Sequence, residues 1–167
     1  MSGTLGSMYP LSVTLHLLAA IFWLGGMFFL GIVGAPALAG LDTDLRRRLF
    51  KEIGLRFRGP GWVAIAILLV TGIVNLHFRG LLEPALHGGR DFWLTPIGQT
   101  LAWKLSLVLA MVTIGAVHDF WLGPLSGELD AGSKEHLRVR TLVSRLGRLN
   151  AVLGILVVYF AVRLIRG

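Results

Sequence analysis

The 167-residue sequence contains no cysteine and few charged residues. The absence of cysteine excludes disulfides, thiolate metal sites and cysteine nucleophiles. Charged residues make up 15% of the chain, against about 25% in an average soluble domain. Hydrophobic residues make up 54%, and the mean hydropathy is +0.73. These proportions indicate an integral membrane protein.

Acidic residues are scarce, with 9 Asp and Glu against 16 Lys and Arg. In a membrane protein such an excess is typical of basic cytoplasmic loops, so it does not indicate a nucleic-acid partner. The first ten residues contain no Lys or Arg. Because the apolar segment after them is also longer than that of a signal peptide, we expect the first span to stay in the mature protein.

One uncharged stretch, residues 11–39, contains no Asp, Glu, Lys or Arg. At a rise of about 1.5 Å per residue it can cross a hydrocarbon core of about 30 Å. With three further apolar segments, it predicts four spans at about residues 10–38, 60–79, 96–122 and 147–166. The predicted fold class is all-α, an integral membrane four-helix bundle that forms a single domain over residues 1–167.

The connection between the first two spans, residues 41–58, has the pattern of an amphipathic helix at the cytoplasmic membrane surface. Asp42 or Thr43 is its expected N-cap. Its apolar residues recur every four positions, at Leu45, Leu49, Ile53 and Phe57. The basic residues lie mostly elsewhere on the helix, which is typical of a segment that contacts lipid headgroups or simply remains solvated.

Proline and glycine signal the expected helix boundaries. Thr95 and Pro96 predict the start of the third span, with Thr95 as N-cap and Pro96 at the first helical position. Glycine–proline motifs at residues 59–61 and 123–124 predict the ends of the connector helix and of the third span. Residues 81–94 are predicted to form a loop.

The distribution of basic residues predicts the orientation in the membrane. The first and third connections carry eleven Lys and Arg residues, whereas the second carries only Arg79 and Arg90. The positive-inside rule therefore predicts a multi-pass protein of the bacterial cytoplasmic membrane with both termini in the periplasm. Each half of the chain also has one span, one basic connector and one return span, a weak pseudo-symmetry.

Each predicted span carries a polar or ionisable side chain near its outer end, namely His16, His77, Lys104 and the pair Tyr159 and Arg163. A histidine at membrane depth is costly unless something binds it or hydrogen-bonds it. We therefore expect His16 and His77 to be ligands of one metal centre. Imidazole suits both a copper ion and the iron of haem b, so both cofactors stay open.

The other polar and aromatic residues at this level are candidate cofactor-binding residues. Trp23 lies on the same helix face as His16 and would pack on a haem macrocycle. Lys104 and Arg163 would neutralise its propionates, and Tyr159 shares the face of Arg163. Structural roles are the alternative: packing for Trp23, and an interfacial or headgroup position for His77, Lys104 and Arg163.

Two segments resemble a known family. The run from His16 through Trp23 to Gly26, followed by Trp103-Lys104-Leu-Ser-Leu-Val-Leu, resembles the membrane domain of copper-resistance protein D (CopD). The resemblance implies copper handling at the cytoplasmic membrane, with His16 as the residue carried over.

The same residues are also similar to the protoporphyrinogen oxidase family HemJ, in which His16 and Lys104 would be haem-associated. The chain lacks the arginine and histidine that HemJ has after Gly26, so the CopD-like interpretation ranks first.

Three function classes follow from the sequence. The first is a copper-handling membrane protein, and the second is a b-type haem protein for electron transfer or protoporphyrinogen oxidation. The third is a structural or assembly partner whose polar residues only join helices. The expected partners are the lipid bilayer, copper or a porphyrin, and either a second copy of the chain or a periplasmic copper-binding protein.

Overall fold

A computed structural model describes residues 2–128 and 133–166, and these residues are helical apart from short connections. Within these two ranges the α-helices are α1 (Ser2–Phe28), α2 (Ala35–Ala37), α3 (Thr43–Phe78), α4 (Leu82–His87), α5 (Gly89–Leu94), α6 (Pro96–Ala116), α7 (Gly123–Glu128) and α8 (Lys134–Arg166). Two π-helical segments, Phe29–Gly34 and Val117–Leu122, follow α1 and α6. No strand occurs within the described ranges, which confirms the all-α class.

Among the residues that the structure describes, four helical stretches are long and apolar enough to cross a membrane: Met8–Ala37, Thr43–Phe78, Pro96–Leu125 and Leu137–Arg166. Large apolar side chains such as Ile21, Leu109 and Ile165 are exposed on the chain surface. A soluble protein would bury most of them, whereas a membrane protein presents them to lipid. The prediction of four spans is therefore confirmed.

The chain divides into two compact units, Met1–Phe92 (the amino-terminal unit) and Trp93–Gly167 (the carboxy-terminal unit). In the amino-terminal unit α1 packs antiparallel to α3, with the rings of Tyr9 and Phe78 5.5 Å apart near one end. In the carboxy-terminal unit α6 packs antiparallel to α8, with the rings of Trp103 and Phe160 6.4 Å apart. The single domain over residues 1–167 stays a prediction.

Two helix starts follow directly from capping side chains. The Asp42 carboxylate accepts hydrogen bonds from the backbone N–H groups of Asp44 and Leu45, at 3.0 and 3.4 Å, at the start of α3. The Thr95 hydroxyl accepts one from the N–H of Gly98, at 3.0 Å, at the start of α6. Each cap satisfies donors that the first helical turn leaves unpaired. Both predicted N-caps are confirmed.

Three predicted boundaries are wrong. Helix α3 continues through Pro60, so the basic connector is its first half and the second span is its second half. The helical path also continues through Pro124, the second residue of α7, and residues 81–94 contain α4 and α5 instead of a loop. Proline removes one backbone donor, but the neighbouring turns keep their bonds, and in an apolar environment breaking more of them would cost additional free energy.

The two units share an internal repeat. Their π-helical segments begin at Phe29 and Val117, 88 residues apart, and each is six residues long. Pro36 and Pro124 follow at the same offset. In both units a long helix then begins with a basic half and ends as an apolar return span. The pseudo-symmetry in the sequence is thus also present in the secondary structure.

Candidate metal site

His16 lies on the side of α1 that packs against α3. Its Nδ1 atom is 2.8 Å from the hydroxyl oxygen of Thr71, across the interface between the two helices. The ring also lies over the backbone of α3, because a Cβ added at Gly72 would be 3.6 Å from the His16 Cε1 atom. The small residue at position 72 lets the imidazole pack closely against the opposite helix.

The hydrogen bonds of Thr71 determine which atom donates in its contact with His16. Thr71 is only 7% exposed, and its Oγ1 donates to the carbonyl of Ile67 at 2.5 Å, with the carbonyl of Leu68 at 3.5 Å. A hydroxyl has one proton to donate, so Oγ1 accepts from His16. In the neutral ring the proton is then on Nδ1 and the lone pair is on Nε2.

Two further polar residues complete what we call the His16 cluster, formed by Ser12, His16, Thr71 and Asn75. Ser12, 7% exposed, donates from its hydroxyl to the carbonyl of Thr71 at 3.5 Å. Asn75 follows Thr71 by one helical turn. Its Oδ1 atom is buried and has no hydrogen-bond partner among the described residues. The cluster therefore offers a buried carbonyl oxygen as well as an imidazole.

Trp23 lies two turns further along α1, on the same α3-facing side as His16. It is 9% exposed, and its Cδ1 atom would be 3.8 Å from a Cβ added at Gly61. Ala19, between His16 and Trp23, is also buried. The predicted common face is thus the packing face of α1. The cofactor-binding role of Trp23 stays a prediction.

His77 is exposed and does not lie on the same side of α3 as Thr71. It follows Thr71 by six residues, about 9 Å along the helix axis and about a third of a turn around it. Its ring packs edge-on against Phe78, with 5.8 Å between centroids. Among the described residues no group of three or more His, Cys, Asp or Glu side chains is arranged to hold a metal ion.

The remaining predicted site residues, Lys104, Tyr159 and Arg163, belong to the carboxy-terminal unit. Trp103 stacks on Phe160, which places their neighbours Lys104 and Tyr159 at one level of the α6–α8 pair. Lys104 is half-buried, whereas Tyr159 and Arg163, one turn apart on α8, are exposed. Their cofactor-binding role stays a prediction.

Sequence reasoning missed Ser12, Thr71 and Asn75. A signal was present, because Ser12 and His16 are four residues apart in the first span, and so are Thr71 and Asn75 in the second. Polar residues at this spacing share one helix face. Such a pair within an apolar span indicates a polar contact with a neighbouring helix.

Further polar residues lie in the carboxy-terminal unit. In the π-helical segment, His118 Nδ1 is 2.8 Å from the carboxylate of the adjacent Asp119. Asn150 of α8 is 6% exposed, and its Nδ2 atom would be 3.8 Å from a Cβ added at Gly115. The Asn150 Oδ1 atom has no hydrogen-bond partner in the described ranges.

Comparisons with known proteins identify the family. The family model described as Copper resistance protein D matches residues 51–164, which include Thr71, His77 and Lys104 and begin after His16. A protein of Aquifex aeolicus (strain VF5), described as "Uncharacterized protein", is 33% identical over 159 residues, covering 94% of this chain and 95% of that protein. No solved structure matches. The chain is therefore a member of the copper resistance protein D family.

Proposed function

We propose that this protein handles copper in the bacterial cytoplasmic membrane and that His16 is a copper ligand. The observation that carries the proposal is the hydrogen bond from His16 Nδ1 to Thr71, 2.8 Å long, inside the interface of two spans. This bond holds an imidazole at membrane depth and places the metal-binding lone pair on Nε2. Imidazole nitrogen is a good ligand for copper, and membership of the family supports the choice of this metal.

The composition of the cluster fits a site through which an ion passes. With no group of three His, Cys, Asp or Glu ligands among the described residues, copper would have few strong protein ligands here. Ions that must leave again are bound more weakly than ions in a permanent site. Asn75, one helical turn after Thr71, has a buried carbonyl oxygen and is a candidate for a further ligand. His77, predicted from the sequence to share the site, is the other candidate in α3. A second copy or a periplasmic copper-binding protein would supply more ligands.

The proposed position is near the outer face of the membrane. Both termini are proposed to lie in the periplasm, on the basis of the basic connections. His16 is eight residues from the start of the apolar stretch Met8–Ala37, about 12 Å along the helix. Copper would therefore reach the cluster from the periplasmic side.

A metal titration of the purified full-length protein tests this function. Copper binding in detergent is measured by metal analysis and absorption, on the wild type, His16→Ala and His118→Ala. We expect His16→Ala to lose copper binding and His118→Ala to retain it, because His118 lies in the other unit and bonds to Asp119. Equal copper binding by wild type and His16→Ala would overturn the proposal.

The same preparation distinguishes copper from haem. A b-type haem would show a Soret band that shifts on reduction with dithionite, and it would need a second axial ligand such as His77. We expect no such band, either as purified or after addition of haemin. A Soret band that disappears in both His16→Ala and His77→Ala would replace the copper proposal with the haem alternative.

A further inference from the structure

We propose that Thr71 is the positioning residue of the His16 site, since it fixes the proton on Nδ1 and makes Nε2 the metal-ligating atom. This inference rests on the proposed function for the identity of the ligand, copper. The tautomer itself is a property of the metal-free protein. It can therefore be tested whether or not the protein binds copper.

The direction of the hydrogen bond follows from the number of protons available. The Thr71 hydroxyl donates to the Ile67 carbonyl at 2.5 Å, four residues earlier in α3. To donate to His16 instead, the hydroxyl would have to give up this bond. Because Thr71 is only 7% exposed, water cannot replace the hydrogen bond to the Ile67 carbonyl. Losing a buried hydrogen bond is costly, so the arrangement with His16 as donor is favoured.

The position of the ring is constrained on more than one side. The Thr71 hydroxyl lies 2.8 Å from Nδ1, and Gly72 leaves space for the Cε1 edge of the imidazole. With Nδ1 held at the hydroxyl, Nε2 is the ring nitrogen on the far side of Cε1 from Thr71. Metal-ligating histidines commonly have their other ring nitrogen held in this way, which orients the ring and sets the tautomer.

Other threonines show that the contact with histidine is what distinguishes Thr71. Thr14 donates to the carbonyl of Pro10 at 2.9 Å, and Thr100 donates to that of Pro96 at 2.8 Å. These side chains make the same bond to the preceding turn as Thr71 does. Thr71 Oγ1 differs in that it also lies 2.8 Å from His16 Nδ1 on the neighbouring helix. Thr14, on the same helix as His16, therefore offers a matched control.

The test is the protonation pattern of the His16 ring in metal-free protein. Full-length protein labelled with ¹⁵N-histidine is studied by NMR in detergent, with His16→Ala used to assign the signal. We expect the Nδ1–H tautomer in the wild type, in Thr71→Ser and in Thr14→Val. In Thr71→Val the tautomer should shift toward Nε2–H, because the acceptor for Nδ1–H is lost. An unchanged tautomer in Thr71→Val would overturn the inference.

Copper affinity gives the second measurement. Loss of a residue that orients a ligand typically weakens metal binding by about 10- to 100-fold. We expect a weakening of this size in Thr71→Val, full recovery in Thr71→Ser and no change in Thr14→Val. Thr71→Ser keeps the hydroxyl, so it controls for the effect of changing the side chain at position 71. A purely structural defect of Thr71→Val would leave the His16 tautomer of the folded fraction unchanged, whereas loss of positioning would shift it.

The two measurements separate failure of this inference from failure of the proposed function. If the tautomer depends on the Thr71 hydroxyl but the wild type binds no copper, the positioning role stands and the copper function is wrong. If His16 binds copper and Thr71→Val changes neither tautomer nor affinity, the copper function stands and the positioning role is wrong.

Discussion

His16 and Lys104 occupy equivalent positions in the two units, because each lies thirteen residues before a six-residue π-helical segment. The repeat therefore has an imidazole in one unit where it has an ammonium group in the other. A neutral imidazole ligates metal ions, whereas a charged ammonium group has no lone pair to offer. We infer that the internal repeat has two chemically different halves.

The first prediction concerns Lys104. We expect Lys104→Met to leave the number of copper ions bound per protein unchanged, since the proposed ligand His16 belongs to the other unit and is intact. Metal analysis on the same preparation as for His16→Ala provides the measurement, and Lys104→Arg is the control that keeps the charge. Loss of copper equal to that in His16→Ala would show that Lys104 is part of the metal site.

The second prediction concerns the contact between α1 and α3 away from the His16 cluster. A Cβ at Gly26 would clash with the ring of Phe57, whereas a Cβ at Gly25 would have nothing within 4 Å. Gly26→Val should therefore destabilise the protein by about 1–3 kcal/mol, the usual cost of overpacking. Gly25→Val is the matched control. The midpoint of thermal unfolding in detergent should fall for Gly26→Val only, and an equal fall in both variants would contradict this packing.

The third prediction concerns the buried amide of Asn150. Its Oδ1 atom is without a hydrogen-bond partner among the described residues, and the side chain is 6% exposed. Burying an unpaired polar group costs about 1–3 kcal/mol, so Asn150→Leu should raise the thermal stability or leave it unchanged.

Leu164→Ala serves as the reference for Asn150→Leu. Leu164 is a buried residue of the same helix, and its truncation should lower stability by about 2–5 kcal/mol through a cavity. If Asn150→Leu destabilises the protein as much as Leu164→Ala does, the amide oxygen has a stabilising partner.

The fourth prediction is the membrane topology. A phosphatase fused after Gly167 should be active, and a cytoplasmic reporter at the same site inactive, because both termini are expected in the periplasm. Fusions after Lys51, within the first basic connection, should give the opposite pattern. An inactive phosphatase together with an active cytoplasmic reporter at Gly167 would place the carboxy terminus in the cytoplasm, and the outer position of His16 would then be wrong.

Local signals in the sequence account for the parts of the fold that were predicted correctly. The four spans follow from the length of their apolar segments, and the starts of α3 and α6 follow from Asp42 and Thr95. The packing face of α1 follows from the helical spacing of His16 and Trp23. Each of these depends on residues within a few turns of one helix, so each can be predicted without knowing what the helix contacts.

Only the tertiary structure decided the partner of His16. Thr71 is 55 residues away in sequence, and it meets His16 because α1 and α3 cross in one particular register. The periodicity of a single helix cannot determine that register. His77, predicted as a ligand from its residue type, lies on a different side of α3 from Thr71. Only the packing of the two helices shows that the side of α3 facing His16 is the side of Thr71. Residue types and spacing identify which side chains can bind a metal or form a hydrogen bond. The packing of the two helices determines which of these side chains contact each other.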